Sequence, residues 1–594
     1  MEEKLLFSGN EAIARGAYEA GIKVASAYPG TPSTEIIQNL SRYEDVYTEW
    51  APNEKVALEV ALGASFAGAR AMAAMKHVGL NVAADPLFTS AYTGVKGGLV
   101  IVTADDPEMH SSQNEQDNRN YAFAAKVPML EPADSAEAKE FTAIAFAMSE
   151  EFDTPVLLRT TTRVSHGEGL ITLGERHALP PGTKVEKTPE KFVMLPSNAR
   201  KRRIELAKRM ERLSAFAEGF SGNRIEWGDK RRGFITSGVS YLYVKEAFPE
   251  ASVLKLGMVY PFPEKMLKAF AKEIGELFIV EELDPFIELH VKAMGISCHG
   301  KDVIPAIGEL DTYRVKMAIL GKGENPLFES SSIPQRPPNL CPGCPHRGIF
   351  HALSKFDVFV AGDIGCYTLA AQKPLLALDT CVCMGAGVSG AMGMEKALGD
   401  NAPGKVVAVI GDSTFLHSGI TGLIDIVYNR GTTTVIILDN RTTAMTGHQP
   451  TPATGITIRG EASPALDMEA LCRAIGVKHV YRVNPHDIKA TGRILKREIG
   501  RPEVSVIIAD APCVLLPGVI PKDRTVYQIL AEACTGCGAC LKIGCPAMEW
   551  IPGAGKKTAS GKKQKGLAQI SAAICAGCGQ CAFLCKFSAI AGKG

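Results

Sequence analysis

Short apolar runs alternate with longer small-residue or amphipathic stretches along most of the 594-residue chain. Over residues 1–178 the strand-length runs fall at KVASAYPG, GGLVIVTAD and TPVLLRTTT. Between the first two, EKVALEVALGASFAGARAMAAMKHVG reads as one alanine-rich helical stretch that starts at Glu54. Strands and helices in alternation predict a parallel sheet covered by helices. The pattern lapses over 179–230, a linking segment in which the charge run NARKRRIELAKRMERL predicts a surface helix with a solvated face. It resumes over 231–328 (GFITSG, SVLKLG, ELFIVEE), and the Pro-rich SSSIPQRPPNLCP then reads as an inter-domain linker. A third α/β region, 335–521, carries strands at DVFVAGD, KVVAVIGD, TTVIILDN and SVIIADAP. Beyond Pro521 the helical period stops, and residues 524–594 make a short module rich in glycine and cysteine.

Composition narrows the class. At about one domain per ~150 residues the length suits four domains. A hydrophobic content of 46% and a charged content of 22% are ordinary for a globular chain, and a net charge of +1 gives no support for a nucleic-acid or membrane-surface partner. The start, MEEKLLFSGNEAIARGAYEAG, lacks the basic region, apolar core and cleavage site of a signal peptide. Apolar runs such as VVAVI are far too short to span a bilayer, so the expected location is the cytoplasm. Disulfides are disfavoured there, and sixteen cysteines therefore point to metal or catalysis. Eight of the sixteen lie between Cys534 and Cys585.

The stretch CTGCGACLKIGCP supplies Cys534, Cys537, Cys540 and Cys545, and CAGCGQCAFLCK supplies Cys575, Cys578, Cys581 and Cys585. Two such runs are the signature of a two-cluster ferredoxin domain, in which three thiolates of one run and the last of the other hold each [4Fe–4S] cluster. By that cross-over, cluster one takes Cys534, Cys537, Cys540 and Cys585, and cluster two takes Cys575, Cys578, Cys581 and Cys545. The first run has four residues before its last cysteine where three are usual, and Lys586 stands where proline usually follows. The alternative is a pair of four-cysteine zinc sites, but zinc ribbons seldom use three cysteines at two-residue gaps. Between the runs, GAGKKTASGKKQKG lacks the leading glycine of a phosphate loop. It reads as an exposed basic loop whose Lys562 and Lys563 would steer an acidic electron carrier.

Carriers of single electrons need a site that produces them. The strand in KVVAVIGDSTF ends at Gly411, Asp412 and Ser413, and the next, in IILDNRTTAMTG, ends at Asn440, twenty-eight residues after Asp412. A carboxylate and a carboxamide at neighbouring strand ends suit one Mg2+ and a diphosphate. This spacing, with Thr442 two residues further on, resembles the thiamine diphosphate motif. Upstream, NEKVALEVALGASFAGAR resembles the thiamine enzymes' small-residue helix, whose leading glutamate, here Glu54, serves the cofactor's pyrimidine. On the residues alone, Glu54 reads equally as a solvated acid favoured by a helix dipole, and Glu59 is a lesser alternative. The stretch AYPGTPSTEI resembles the Y-P-x-T-P-S loop of the 2-oxoacid:ferredoxin oxidoreductases, which implies that Thr31 contacts the substrate carboxylate. HSSQNEQDNRNYA resembles that family's loop over the active site and puts Arg119 forward as a carboxylate or lid contact.

The resemblance also makes C-P-G-C-P-H-R at 341–347 readable. It implies a third, thiamine-proximal [4Fe–4S] cluster on Cys341, Cys344, Cys366 and Cys513. The alternatives are buried apolar thiols or a redox-active pair, the latter opposed by the prolines on both sides. Cys298, Cys381, Cys383 and Cys472 read as core or cofactor-lining thiols. GAGVSG at 385–390 is formally G-x-G-x-x-G, but it falls on a small-residue helix ahead of the GDS strand, which rules against a dinucleotide site.

In domain order the chain resembles the alpha subunits of the indolepyruvate:ferredoxin oxidoreductases. That implies a pyrimidine-type thiamine domain at 1–178, a transketolase C-terminal-like domain at 231–328, a diphosphate-binding domain with Mg2+ at 335–521 and a ferredoxin-like domain at 524–594. It further implies oxidative decarboxylation of aryl-2-oxoacids to CO2 and an acyl-coenzyme A, with electrons passed to ferredoxin. A smaller beta subunit is the implied partner, in an alpha2beta2 assembly. Enzymes for phenylglyoxylate, branched-chain 2-oxoacids or pyruvate share these motifs. An electron-transfer subunit with a dead thiamine fold is a third reading, opposed by intact Glu54, Asp412 and Asn440.

Overall fold

A computed structural model describes residues 4–177, 187–321, 334, 337–553 and 565–593. The chain divides into two compact units, Met1–Ile333 and Pro334–Gly594. The first is built on a seven-stranded sheet in the order Met258–Tyr260, Met129–Leu130, Val156–Thr161, Leu99–Asp105, Ala71–Lys76, Val24–Ala27, Tyr47–Trp50. Every neighbouring pair is parallel except the first, which is antiparallel. Leu99–Asp105 and Val156–Thr161 are buried at every position, as strands covered on both faces must be.

The long helical stretch expected from Glu54 onward is not one helix. The helix spans Glu54–Phe66, and Ala71–Lys76 is a central strand of the sheet. Alanine and methionine are good helix formers, but burial between two layers of helices overrides that preference. Gly68, at φ 91°, turns the chain between the two elements.

A second sheet in the same unit sets Glu276–Val280, Asp229–Ser237 and Ala251–Leu256 in parallel, with Arg224–Glu226 antiparallel at its edge. Sheet structure therefore begins inside the 179–230 segment that was expected to link domains. The charged helix of that segment forms over Pro196–Ala217 and turns Leu206, Arg209, Leu213 and Ala217 inward. Met258–Tyr260 crosses to the seven-stranded sheet, and one apolar core including Ile101, Leu157, Leu254 and Ile279 runs through both sheets.

The second unit centres on five parallel strands in the order Phe359–Ala361, Val406–Gly411, Thr434–Asp439, Ser505–Asp510, His479–Val483. Successive residues point to opposite faces. Val407, Val409, Ile436 and Leu438 thus enter one apolar cluster, and Ala408, Ile410, Val435 and Ile437 the other. The edge strand His479–Val483 is too polar to stand out in the sequence.

Past residue 524, Val526–Ile529 pairs antiparallel with Ile590–Lys593, and Met548–Pro552 with Gly566–Ile570. Short helical turns lie at Ala539–Ile543 and Gln580–Leu584. The basic loop with Lys562 and Lys563, and most of the Pro-rich linker, lie outside the described residues. Among the described residues no helix is long and apolar enough to cross a membrane.

Candidate functional site

Ligand sites of open parallel sheets form at the carboxyl ends of the strands, and in the second unit those ends carry Asp412 and Asn440. Asp412 is buried, and burial with Asp439 nearby pushes its carboxyl up to about 8. Its Oδ2 meets no hydrogen-bond donor. A buried charge without compensation is costly, and a bound cation removes the cost. Asn440 Oδ1 accepts from the Thr442 amide (3.2 Å), and the Thr442 hydroxyl donates to the Gln449 carbonyl (3.2 Å). Carboxylate, amide oxygen and hydroxyl oxygen make the hard donor set that Mg2+ prefers. The Thr443 hydroxyl donates to Ser413 Oγ (2.9 Å) and ties the two strand-end loops together. From Asp412 the chain runs helically to Tyr428 through a π-helical turn, Phe415–Gly419, an irregularity frequent at functional sites.

Asp363 belongs to this site and was not singled out in the sequence. Its carboxylate accepts from the amides of Ile364 (2.8 Å), Gly385 (3.0 Å) and Gly387 (2.9 Å), and burial still raises it to about 6. It thereby fastens the start of the helix Ala386–Leu398, so the formal glycine motif is a helix start held by an aspartate. Tyr367 Oη accepts from the Gly411 amide (2.9 Å) and donates to the Ile364 carbonyl (2.9 Å).

None of the sixteen cysteines is in a disulfide. Cys545, Cys575, Cys578 and Cys581 line one cavity; Cys534, Cys537, Cys540 and Cys585 line another. The loops close around these cavities through Gly536, Gly538, Gly577 and Gly579 at φ 67–76°, which glycine adopts freely. Cys341, Cys344, Cys366 and Cys513 form a third group. Cys341 and Cys366 act electrostatically on Cys344, Cys513 and Cys341 act on Cys366, and Cys341 acts on Cys513. Burial pushes the Cys344 thiol up to about 12 and Cys366 to about 11. Such thiols stay neutral until a metal centre takes their protons' place.

Among the described residues, the only three metal-type ligand atoms within 4.8 Å of one another belong to Glu108, His110 and Glu309. The thiols are thus spread wider than tetrahedral zinc requires, since a Zn–S bond of about 2.3 Å sets neighbouring sulfurs roughly 3.8 Å apart. Arg347 donates to the carbonyls of Cys341 (3.1 Å), Ile543 (3.1 Å) and Gly544 (2.5 Å), and Gln580 Nε2 donates to the Cys344 carbonyl (3.1 Å). Gly343 lines the cavity of Cys545, Cys575, Cys578 and Cys581, so the third group abuts the second. On its other side, Cys513 lies within electrostatic range of Asp412. The C-P-G-C turn leads into the helix His346–Leu353, and the described residues 337–340 directly before it form no strand of the kind that precedes redox-active pairs. Cys472 is core, whereas Cys381 and Cys383 are exposed, which removes the core half of the core-or-cofactor-lining reading for these two.

In the first unit, Asn53 caps the helix Glu54–Phe66 by accepting from the Val56 amide (2.9 Å). Glu54 is only 4% exposed, which discards the solvated-acid reading. A Cβ at Gly79 would stand 2.7 Å from Glu54 Cγ and Oε1, so the missing side chain there makes room for the carboxylate. Glu59 is exposed and pairs with Lys55. Thr31 is partly buried in a loop held by Asn10 Nδ2 on the Pro32 carbonyl (2.7 Å) and Ser33 Oγ on the Gly30 carbonyl (2.9 Å).

Arg119, put forward as a lid or substrate-carboxylate contact, is spent on the protein's own acids and carbonyls. It is 1% exposed and donates to both Asp117 oxygens, Glu281 Oε2 (2.7 Å) and the carbonyls of Glu282 (3.0 Å) and Asp284 (3.2 Å). With every nitrogen engaged, it fastens the helix Arg119–Ala125 to the loop after the strand Glu276–Val280.

Residues 363–509 match the family model of the thiamine pyrophosphate enzymes' C-terminal TPP binding domain. Residues 15–210 match that of the pyruvate flavodoxin/ferredoxin oxidoreductase thiamine diphosphate-binding domain. The chain is 44% identical to indolepyruvate oxidoreductase subunit IorA of Archaeoglobus fulgidus, over 92% of this chain and 93% of that one. It is 42% identical to IorA of Thermococcus kodakarensis, over 93% of each. A solved structure of 2-oxoglutarate:ferredoxin oxidoreductase from Magnetococcus marinus, with 2-oxoglutarate, coenzyme A and succinyl-CoA bound, is similar over 54% of this chain and 65% of that one, at 17% identity and a TM-score of 0.47. With such identity over nine-tenths of its length, the chain belongs to the family of indolepyruvate oxidoreductase alpha subunits, thiamine diphosphate-dependent 2-oxoacid:ferredoxin oxidoreductases.

Proposed function

We propose that this chain decarboxylates aryl-2-oxoacids oxidatively and carries the electrons out through three [4Fe–4S] clusters. In this reading residues 1–178 and 335–521 are the pyrimidine-side and diphosphate-side domains, 231–328 the transketolase C-terminal-like domain and 524–594 the ferredoxin-like domain. Asp412, Asn440 and Thr442 would hold Mg2+, and Gly411 and Ser413 would serve the diphosphate. When bound, thiamine diphosphate supplies the carbanion that adds to the keto carbon and releases CO2. Glu54 shares a proton with the pyrimidine N1′ from its buried pocket, and Thr31 orients the substrate carboxylate. The acyl group passes to coenzyme A: 2-oxoacid plus CoA–SH gives acyl–S–CoA, CO2, one proton and two electrons.

Cys341, Cys344, Cys366 and Cys513 would hold one cluster, Cys545, Cys575, Cys578 and Cys581 a second, and Cys534, Cys537, Cys540 and Cys585 a third, and each cluster would supply one-electron transfer. A soluble ferredoxin accepts the electrons, a smaller beta subunit completes an alpha2beta2 enzyme, and the complex works in the cytoplasm. The observation that carries this reading is the gathering of twelve cysteines into three groups, one of them beside Asp412. The test is viologen reduction by the anaerobic complex with indolepyruvate, pyruvate or 2-oxoisovalerate plus coenzyme A. Indolepyruvate should give the highest kcat/KM; a preference for pyruvate or 2-oxoisovalerate would reassign the substrate class.

A further inference from the structure

With Arg119 consumed by Asp117 and Glu281, an anionic substrate finds no guanidinium where the sequence suggested one. The part of the first unit that holds Glu54 and Thr31 offers a different cation. Lys76 ends the central strand Ala71–Lys76, and its stem passes under the Thr31 loop. A Cβ at Gly30 would lie 3.2 Å from Lys76 Cγ and 3.4 Å from Cδ. Its ammonium lies within electrostatic range of both Glu54 and Asp106.

Yet Lys76 forms no ion pair among the described residues. Nζ donates once, to the Ser111 carbonyl (3.0 Å), and an ammonium has three protons to give. Asp106, the nearby acid, spends its oxygens on the Ser111 amide (2.8 Å), Ser112 Oγ (2.6 Å) and Thr162 Oγ1 (2.7 Å). That set of bonds fixes the turn carrying Ser111, which in turn fixes Nζ. A partly buried ammonium with two protons unspent, beside Thr31 and Glu54, presents a point charge to an incoming anion.

We propose that Lys76 binds the carboxylate of the 2-oxoacid substrate, held in place by Ser111 on the turn that Asp106 anchors. This rests on the reading of Thr31 and Glu54 as substrate-side and cofactor-side residues. The experiment measures equilibrium binding of 3-indolepropionate, which lacks the reactive keto group, and of its neutral amide to the thiamine-loaded complex with its partner subunit. Thiamine diphosphate affinity and indolepyruvate kinetics are measured alongside.

The wild-type complex should prefer the acid to the amide. Lys76→Met should bind the acid about 10- to 100-fold more weakly, the loss of one charge-assisted hydrogen bond. It should leave amide and thiamine diphosphate affinity unchanged, and KM should rise by the factor lost in acid binding. Lys76→Arg should keep part of the preference. If Lys76→Met and Lys76→Gln retain the full preference for the acid, the proposal is wrong while the substrate reading stands. If the wild-type complex itself shows no preference, the substrate reading fails and the proposal with it. Should Lys76→Met not fold, Lys76→Arg against Lys76→Gln decides, and equal preference in both overturns the proposal.

Discussion

One methyl group at position 79 tests whether Glu54 acts from the pocket described above. In Gly79→Ala the added Cβ would lie 2.7 Å from Glu54 Cγ and Oε1 and 3.0 Å from Cδ. Carbon atoms settle about 3.5–4.0 Å apart, so the carboxylate must retreat by about 1 Å. Overpacking of this size costs about 1–3 kcal/mol. Gly79 lies inside the helix His77–Val82, where alanine is better than glycine by about 1 kcal/mol. The two effects nearly offset, and stability should fall by no more than about 2 kcal/mol. Catalysis is less tolerant, since displacing a reacting group by about 1 Å costs on the order of 100-fold. The assays are viologen reduction by the complex, deuterium exchange at thiamine C2 followed by NMR, and thermal melting. A folded variant with kcat down about 100-fold and slowed exchange is expected. Wild-type exchange and turnover in a folded Gly79→Ala protein would refute the assignment of Glu54.

Replacing Asp412 with Asn should abolish the rise in melting temperature that Mg2+ and thiamine diphosphate give the wild-type chain. In chelator the same variant should melt no lower than wild type, because a buried carboxylate without a donor on Oδ2 has gone. Arg119→Met should destabilise the first unit by about 3–5 kcal/mol, leaving Glu281 buried without its ion-pair partner and Asp117 with only Arg159 at 3.9 Å, with KM unchanged in protein that still folds. A raised KM without lost stability would return Arg119 to the substrate. Arg347→Met removes the link from the Cys341 carbonyl to Ile543 and Gly544, and should slow viologen reduction while leaving thiamine C2 exchange intact. Equal slowing of both would place the effect upstream of electron transfer.

What could be read from the chain in advance followed from how local each signal is. Cysteine spacing within a loop is a property of a few consecutive residues, so Cys575, Cys578 and Cys581 could be grouped without a fold. Apolar strands such as TTVIIL are equally local. Ala71–Lys76 was missed because a strand buried on both faces has no period, and its alanines and methionines also suit a helix. Lys76 was lost with it. Arg119 misled because only Asp117 among its acidic partners is a sequence neighbour; Glu281 stands in the loop after a strand of the other sheet, 162 residues away. Asp363 reaches amides 22 and 24 residues further along, contacts that no short motif encodes. The burial of Glu54 likewise depends on Gly79, which belongs to a separate helix.

The central claim is that one chain holds three clusters, the first beside the thiamine site. Iron and acid-labile sulfide per chain in the anaerobically purified complex test it most directly, in the wild type and in Cys344→Ser. Four irons per cluster give about twelve for the wild type and about eight for the variant, which should retain thiamine C2 exchange yet pass no electrons to viologen. A wild-type content of about eight, unchanged by Cys344→Ser, would contradict the account.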